Sequence, residues 1–191
     1  MTPLPGIFNL IFMPTSVIYM VANFVIRPYL TRLSAMWGEH DYESFKRQLV
    51  RIGGIILGLT VLAVGAAALL GRFVLSVMEG LLGESYLGML EPHYGPFILI
   101  VLGGGFYALA NLMYYALVIM RRQRAIFTVY LGAAVAAALL SGILVSTFGI
   151  AGAAGCYLLL MIGLALGFGV FTAGAFRQEK KEYAINGGSE E

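Results

Sequence analysis

The chain has 191 residues, of which 60% are hydrophobic and 12% charged, with a mean hydropathy of +0.86. Soluble domains run near ~45–50% apolar and ~25% charged, so a water-soluble fold of this size has no way to hide that much apolar surface. The net charge of +2 is too small to point to a nucleic-acid partner, and a single cysteine excludes an internal disulfide.

Apolar runs of about 20 residues match ~30 Å of hydrocarbon, and in lipid a helix satisfies its own backbone groups. Five such runs predict an all-α polytopic membrane bundle over 1–176, with spans at 6–26, 52–75, 96–120, 125–147 and 151–176 and the lipid bilayer as its first partner. Residues 1–6 hold no basic residue and lack the charged start of a secretory signal. The segment 27–51 carries Arg27, Arg32, Lys46, Arg47 and Arg51. Within it Tyr42, Phe45, Leu49 and Ile52 recur at helical spacing, with Lys46, Arg47 and Arg51 on other faces. Asp41 is placed as an N-cap. This pattern predicts a cytoplasmic amphipathic helix over 41–51, lying at the interface and leading into the second span, with Trp37 at headgroup depth.

The segment 76–95 combines Glu79, Glu84 and Glu91 with four glycines and Pro92, and holds no Lys or Arg. It predicts an irregular outer loop with one short helical turn. Residues 121–124 bring Arg121, Arg122 and Arg124, the turn 148–150 is uncharged, and the polar tail 177–191 starts with Arg177, Lys180 and Lys181 and ends without order. Eleven of the twelve basic residues thus fall in alternate connections, which the positive-inside bias assigns to the cytoplasm. The carboxyl end is then cytoplasmic and the amino terminus outside, as expected for a piece of a larger protein. Arg72 falls near the outer end of the second span, where its stem reaches toward headgroups.

Helices in lipid associate where small residues let backbones approach. Gly54 and Gly58, Gly163 and Gly167, and the alanines of the fourth span offer such places, while Gly103, Gly104 and Gly105 permit a bend in the third. Cys156 reads as a small packing residue. Polar residues inside spans include Asn9, Ser16, Asn23, Thr60, Asn111 and Thr172, and no acidic residue lies deep in a span. That absence argues against a buried carboxylate relay. Asn111 shares a face with Tyr107 and Tyr114, an amide and two phenols suited to sugar hydroxyls and sugar faces, or equally to helix packing. His40 and His93 read as surface groups, not metal ligands. No phosphate-cradling Gly-Lys-Ser/Thr loop and no Gly-x-Ser-x-Gly elbow is present, so neither enzyme activity nor a cofactor is expected.

Several motifs fall in a known order: Pro28-Tyr29-Leu30 and Thr31-Arg32-Leu33-Ser34 before a short polar helix, then Gly83-Glu84-Ser85-Tyr86 ahead of a long span. The cluster Arg121-Arg122-Gln123-Arg124 and the turn Phe148-Gly149-Ile150-Ala151-Gly152-Ala153-Ala154 follow. In this order they resemble the carboxyl-terminal part of polysaccharide and O-antigen flippases, within the multidrug/oligosaccharidyl-lipid/polysaccharide exporter superfamily. The resemblance implies two lobes of similar fold and transport of lipid-linked oligosaccharide across the cytoplasmic membrane by alternating access. At 191 residues the chain covers about the last five helices of that pattern, so the resemblance implies a missing amino-terminal lobe or a second membrane chain as partner. It also implies that Arg27, Arg32, Arg121, Arg122 and Arg124 meet the pyrophosphate of a polyprenyl-linked glycan, and that Asn111, Tyr107 and Tyr114 meet its sugar. The arginines equally serve topology alone. A multidrug-type exporter lobe and a non-transporting scaffold subunit are the alternatives.

Overall fold

The computed structural model describes the backbone of residues 4–82 and 90–187, with side chains described for 20–21, 23–81, 90 and 92–181. Four α-helices follow one another, with no strand among the described residues: α1 (Leu4–Gly38), α2 (Tyr42–Leu82), α3 (Tyr94–Ile119) and α4 (Gln123–Gly187), with a 3-10 turn Glu91–His93 before α3. Three of them, α2, α3 and α4, are long and apolar enough to cross a membrane.

The 65-residue α4 is not one rod. Gly149 has φ 56° and ψ −127°, a conformation that breaks the helix and that side chains with a Cβ strongly resist. On either side the chain pairs with itself: Leu144 abuts Gly152, Val129 abuts Gly167, and the rings of Tyr130 and Phe168 lie 5.2 Å apart. Arg122 donates to Glu179 at 2.9 Å. In each pair one residue precedes and the other follows the break, at increasing separation, which is the signature of an antiparallel hairpin with arms 123–148 and 150–187. The uncharged turn expected at 148–150 is therefore where the chain reverses.

Other boundaries move. The first span, expected to end at 26, continues as helix through Pro28 to Gly38 because Ile26 and Leu33, both fully buried, hold it in the core beside α3. The amphipathic stretch is not a separate interfacial helix: 42–82 is one helix of 41 residues, ~60 Å long, so its first turns run on along the axis of the span. Its pattern is as expected, with Tyr42, Phe45, Leu49 and Ile52 buried and Lys46, Arg47 and Arg51 exposed. Asp41 caps it, accepting the Ser44 N–H at 3.1 Å. The outer loop shrinks, since α2 reaches Leu82 and the expected helical turn is the 3-10 turn Glu91–His93. Glu79, expected in that loop, is a buried helical residue that accepts the Leu90 N–H at 2.6 Å. The start of the polar tail continues α4 as helix to Gly187. The side chains of Asn9 and Ser16, the 83–86 motif with Glu84, and residues 188–191 lie outside what the structure describes.

Two turns at one end share a design. His40 (φ 59°) and Arg121 (φ 56°) each occupy the left-handed position after a helix. Asp41 N–H donates to Met36 O and His40 N–H to Trp37 O; Arg122 N–H donates to Leu117 O and Arg121 N–H to Val118 O. Both are Schellman closures with a non-glycine residue where glycine is usual.

α3 is the central element, with 50% of its apolar window buried against 17% in α2 and 22% in α4. Its glycines make that possible: the Tyr157 ring packs on Gly103 and Thr60 on Gly105, places where a Cβ would collide. By contrast Gly54, Gly58 and Gly163 meet nothing within 4 Å among the described residues, where of the two expected glycine pairs only Gly167 makes a packing contact. Cys156 is buried, as its reading as a packing residue requires.

Candidate functional site

Three segments converge at one end of the molecule. The first turns of α2 meet the second arm of α4 through the Lys180–Glu43 ion pair at 2.6 Å and through the edge-on Tyr42 and Phe176 rings, 6.2 Å apart. The 121–124 turn meets the same arm through Arg122 and Glu179. At the opposite end Ile150 and Ala154, beside the hairpin tip, pack with Leu75, Leu90 and Phe97. The basic segments thus share one end. Glu43 is held below the ordinary carboxylate range chiefly by its hydrogen bond to Lys180, and Asp41 likewise by its hydrogen bonds to Ser44.

Two cavities open at this end, on either side of the second arm of α4. One, of about 830 Å³, is lined by Arg121, Arg122, Gln123, Arg124, Thr128, Val170, Phe171 and Gln178. Arg121 and Arg124 are exposed there, whereas Arg122 is half-buried and committed to Glu179. The rim can take an anion, and exposed Val170 and Phe171 extend it as an apolar strip along the helix. The other, of about 1020 Å³, lies between α2, the end of α3 and the same arm, with Lys46, Arg177, Lys180 and Lys181 at its rim. Those four cations were not among the expected site residues. Arg177, Lys180 and Lys181 stand three and four residues apart, one helical face, which becomes visible once the helix is carried past 176.

Arg27 and Arg32 line neither cavity. Arg27 is exposed on α1 eleven residues before its end, ~16 Å along the axis, in a small pocket of about 180 Å³ with Met20, Asn23 and Phe24. Arg32 is exposed on the same helix.

Tyr107, Asn111 and Tyr114 also stay outside both cavities. Tyr114 packs edge-on against Tyr115, Tyr130 and Phe168 with ring centres 5.4, 6.2 and 6.1 Å away, an aromatic knot joining α3 to both arms of α4. Tyr107 has interaction partners of its own. Asn111 is different: its amide nitrogen is buried and has no hydrogen-bond partner among the described residues. Such a donor is costly to leave unpaired, ~1–3 kcal/mol, and this nitrogen makes no bond to a neighbouring helix among the described residues. It is an orphan donor in the middle of α3, the helix at the centre of the bundle.

Among the described residues no group of three or more His, Cys, Asp or Glu side chains could hold a metal ion. Comparison with known proteins finds no matching family model, no matching characterised protein and no matching solved structure. Function has to be read from the chain's own chemistry.

Proposed function

We propose that the chain is a lobe, or most of one, of a membrane transporter that flips polyprenyl-linked oligosaccharide across the cytoplasmic membrane. In this reading five helical segments cross the bilayer: α1, α2, α3 and the two arms of α4. The gathering of the basic segments at one end supports placing that end in the cytoplasm, with the amino terminus outside.

The observation that carries the cargo is the arginine cavity beside an apolar strip. A pyrophosphate needs charge-assisted donors, and Arg121 and Arg124 supply them without competing ion pairs among the described residues. A polyprenyl tail needs lipid-facing apolar surface, and Val170 and Phe171 supply it next to those arginines. The glycan must avoid hydrocarbon, where every unpaired hydroxyl is costly. The orphan amide of Asn111 is the polar group most suited to meet it once a path opens along α3. Rocking against a second lobe, supplied by a longer chain or another subunit, would open that path.

Deleting the gene and restoring it with variants tests this. Arg121→Gln with Arg124→Gln is expected to leave lipid-linked glycan accumulating on the cytoplasmic face, and Arg121→Lys with Arg124→Lys to restore part of the export. Normal surface polysaccharide in the deletion strain overturns the proposal; drug sensitivity without glycan accumulation would point to a small-molecule exporter lobe instead.

A further inference from the structure

We infer that the larger cavity is a binding site for an anionic phospholipid of the surrounding bilayer. Leu49, Met113, Met120 and Gly169 form its apolar inner wall, while the rim carries Lys46, Arg177, Lys180 and Lys181 against, among the described residues, the carboxylate of Glu43. From Gly169 to Lys181 the helix rises ~18 Å, enough for a headgroup phosphate at the rim and the upper part of an acyl chain below it. Gly169 and Gly174 line this space with, among the described residues, nothing within 4 Å of where a Cβ would stand, so the absence of side chains there helps keep the groove open.

The chemistry selects the occupant. Basic crevices between membrane helices on the cytoplasmic side meet a leaflet rich in anionic headgroups, each nearby Lys or Arg contributing ~1 kcal/mol. A zwitterionic lipid brings an ammonium group that four cations repel. A free phosphate ion would fill the rim and leave Leu49, Met113 and Met120 facing an empty groove. Lys180 is paired with Glu43 at 2.6 Å, but both groups are exposed, and an exposed ion pair is weak enough for a phosphate to displace. Gly174 and Gln178 line both cavities, so a lipid seated here braces the helix that also walls the arginine cavity. The inference rests on the orientation proposed above and not on the cargo.

Trp37 is the chain's one tryptophan, and its ring lies 5.1 Å from Phe45, which lines the cavity. Quenching of its fluorescence by phospholipid brominated in the upper acyl chain therefore reports occupancy in the purified full chain, with no cargo present. Brominated phosphatidylglycerol is expected to quench more than brominated phosphatidylcholine at equal mole fraction. Lys46→Gln with Lys181→Gln should reduce that preference about fivefold per lysine. Arg47→Gln with Arg51→Gln removes two exposed charges that do not line the cavity and should leave the preference intact. Gly169→Leu fills the groove while keeping every charge, and should weaken quenching by phosphatidylglycerol; it decides the matter if the lysine variant unfolds. Equal quenching by the two lipids, an equal loss in the Arg47/Arg51 variant, unchanged quenching in Gly169→Leu, or reversal by inorganic phosphate would each overturn the inference.

Discussion

Replacing Gly105 by alanine should break a close approach of α2 to α3. A Cβ built at Gly105 overlaps the Thr60 side chain, and even Thr60 Cβ stands only 2.8 Å away. Thr60 cannot swing aside freely, because its hydroxyl donates to Ile56 O at 2.7 Å. The two helices must separate, and overpacking of this kind costs ~1–3 kcal/mol. Truncating Thr60 to alanine leaves the 2.8 Å contact, so it should rescue little; Thr60→Gly removes it. Cys156 is the chain's single thiol and is buried, so a fluorogenic maleimide reacts with it only as the bundle opens. The unfolding midpoint in detergent, read this way, should fall for Gly105→Ala and for Gly105→Ala with Thr60→Ala. Against the Thr60→Gly background the same Gly105→Ala change should be near neutral. A midpoint for Gly105→Ala equal to that of the starting protein would refute the packing reasoning.

Asn111→Leu should raise the midpoint, because it removes a buried donor that costs ~1–3 kcal/mol unpaired, yet lower glycan export; a fall in stability would show that the amide is bonded in the folded state. Arg121→Gly should stabilise by ~1 kcal/mol, since Arg121 holds φ 56° where a Cβ is penalised, while weakening export by removing a cation from the arginine cavity; an unchanged midpoint would refute the backbone argument. The Glu43–Lys180 pair has a pH signature. The folded-state pKa of Glu43 lies below its ordinary value, so the pair's contribution is present above the ordinary carboxylate range and disappears as pH falls through the lowered pKa. The gap in midpoint between the starting protein and Glu43→Gln should close on acidification and narrow with added salt; a gap independent of both would exclude the ion pair as its cause.

What the sequence made legible follows from strong local signals. Gly149 in an uncharged turn between apolar runs marks a reversal, because only a residue without a Cβ accepts φ 56° with ψ −127°. Tyr42, Phe45, Leu49 and Ile52 mark a buried face through their spacing. The alternation of connections rich in Lys and Arg with connections that hold none anticipates which turns share an end. What stayed hidden depends on partners distant in the chain. Pro28 reads as a helix end, yet burial of Ile26 and Leu33 carries α1 past it. Glu79 reads as loop, yet it is held inside by the Leu90 N–H eleven residues on. Gly54 and Gly58 read like an interface, whereas the tight contacts fall on Gly103 and Gly105, because which face of α2 meets α3 is set by Thr60 and its neighbours and not by glycine spacing. The expected site was visible in part: Arg121, Arg122 and Arg124 do share a cavity, Arg27 and Arg32 stand apart on α1, and Lys46, Arg177, Lys180 and Lys181 emerge only when a helix assumed to stop at 176 continues.

In the proposed orientation the hairpin in α4 crosses the bilayer twice with its basic end inside. Positions 124 and 148 are separated by ~36 Å of helix, enough to span ~30 Å of hydrocarbon. In a Cys156→Ala background, Phe148→Cys and Arg124→Cys place single thiols at the two ends of one arm, both at exposed positions. An impermeant maleimide should label Phe148→Cys in intact cells and Arg124→Cys only after the membrane is opened. Equal labelling of both in intact cells, or the reverse order, would contradict the topology and the transporter built on it.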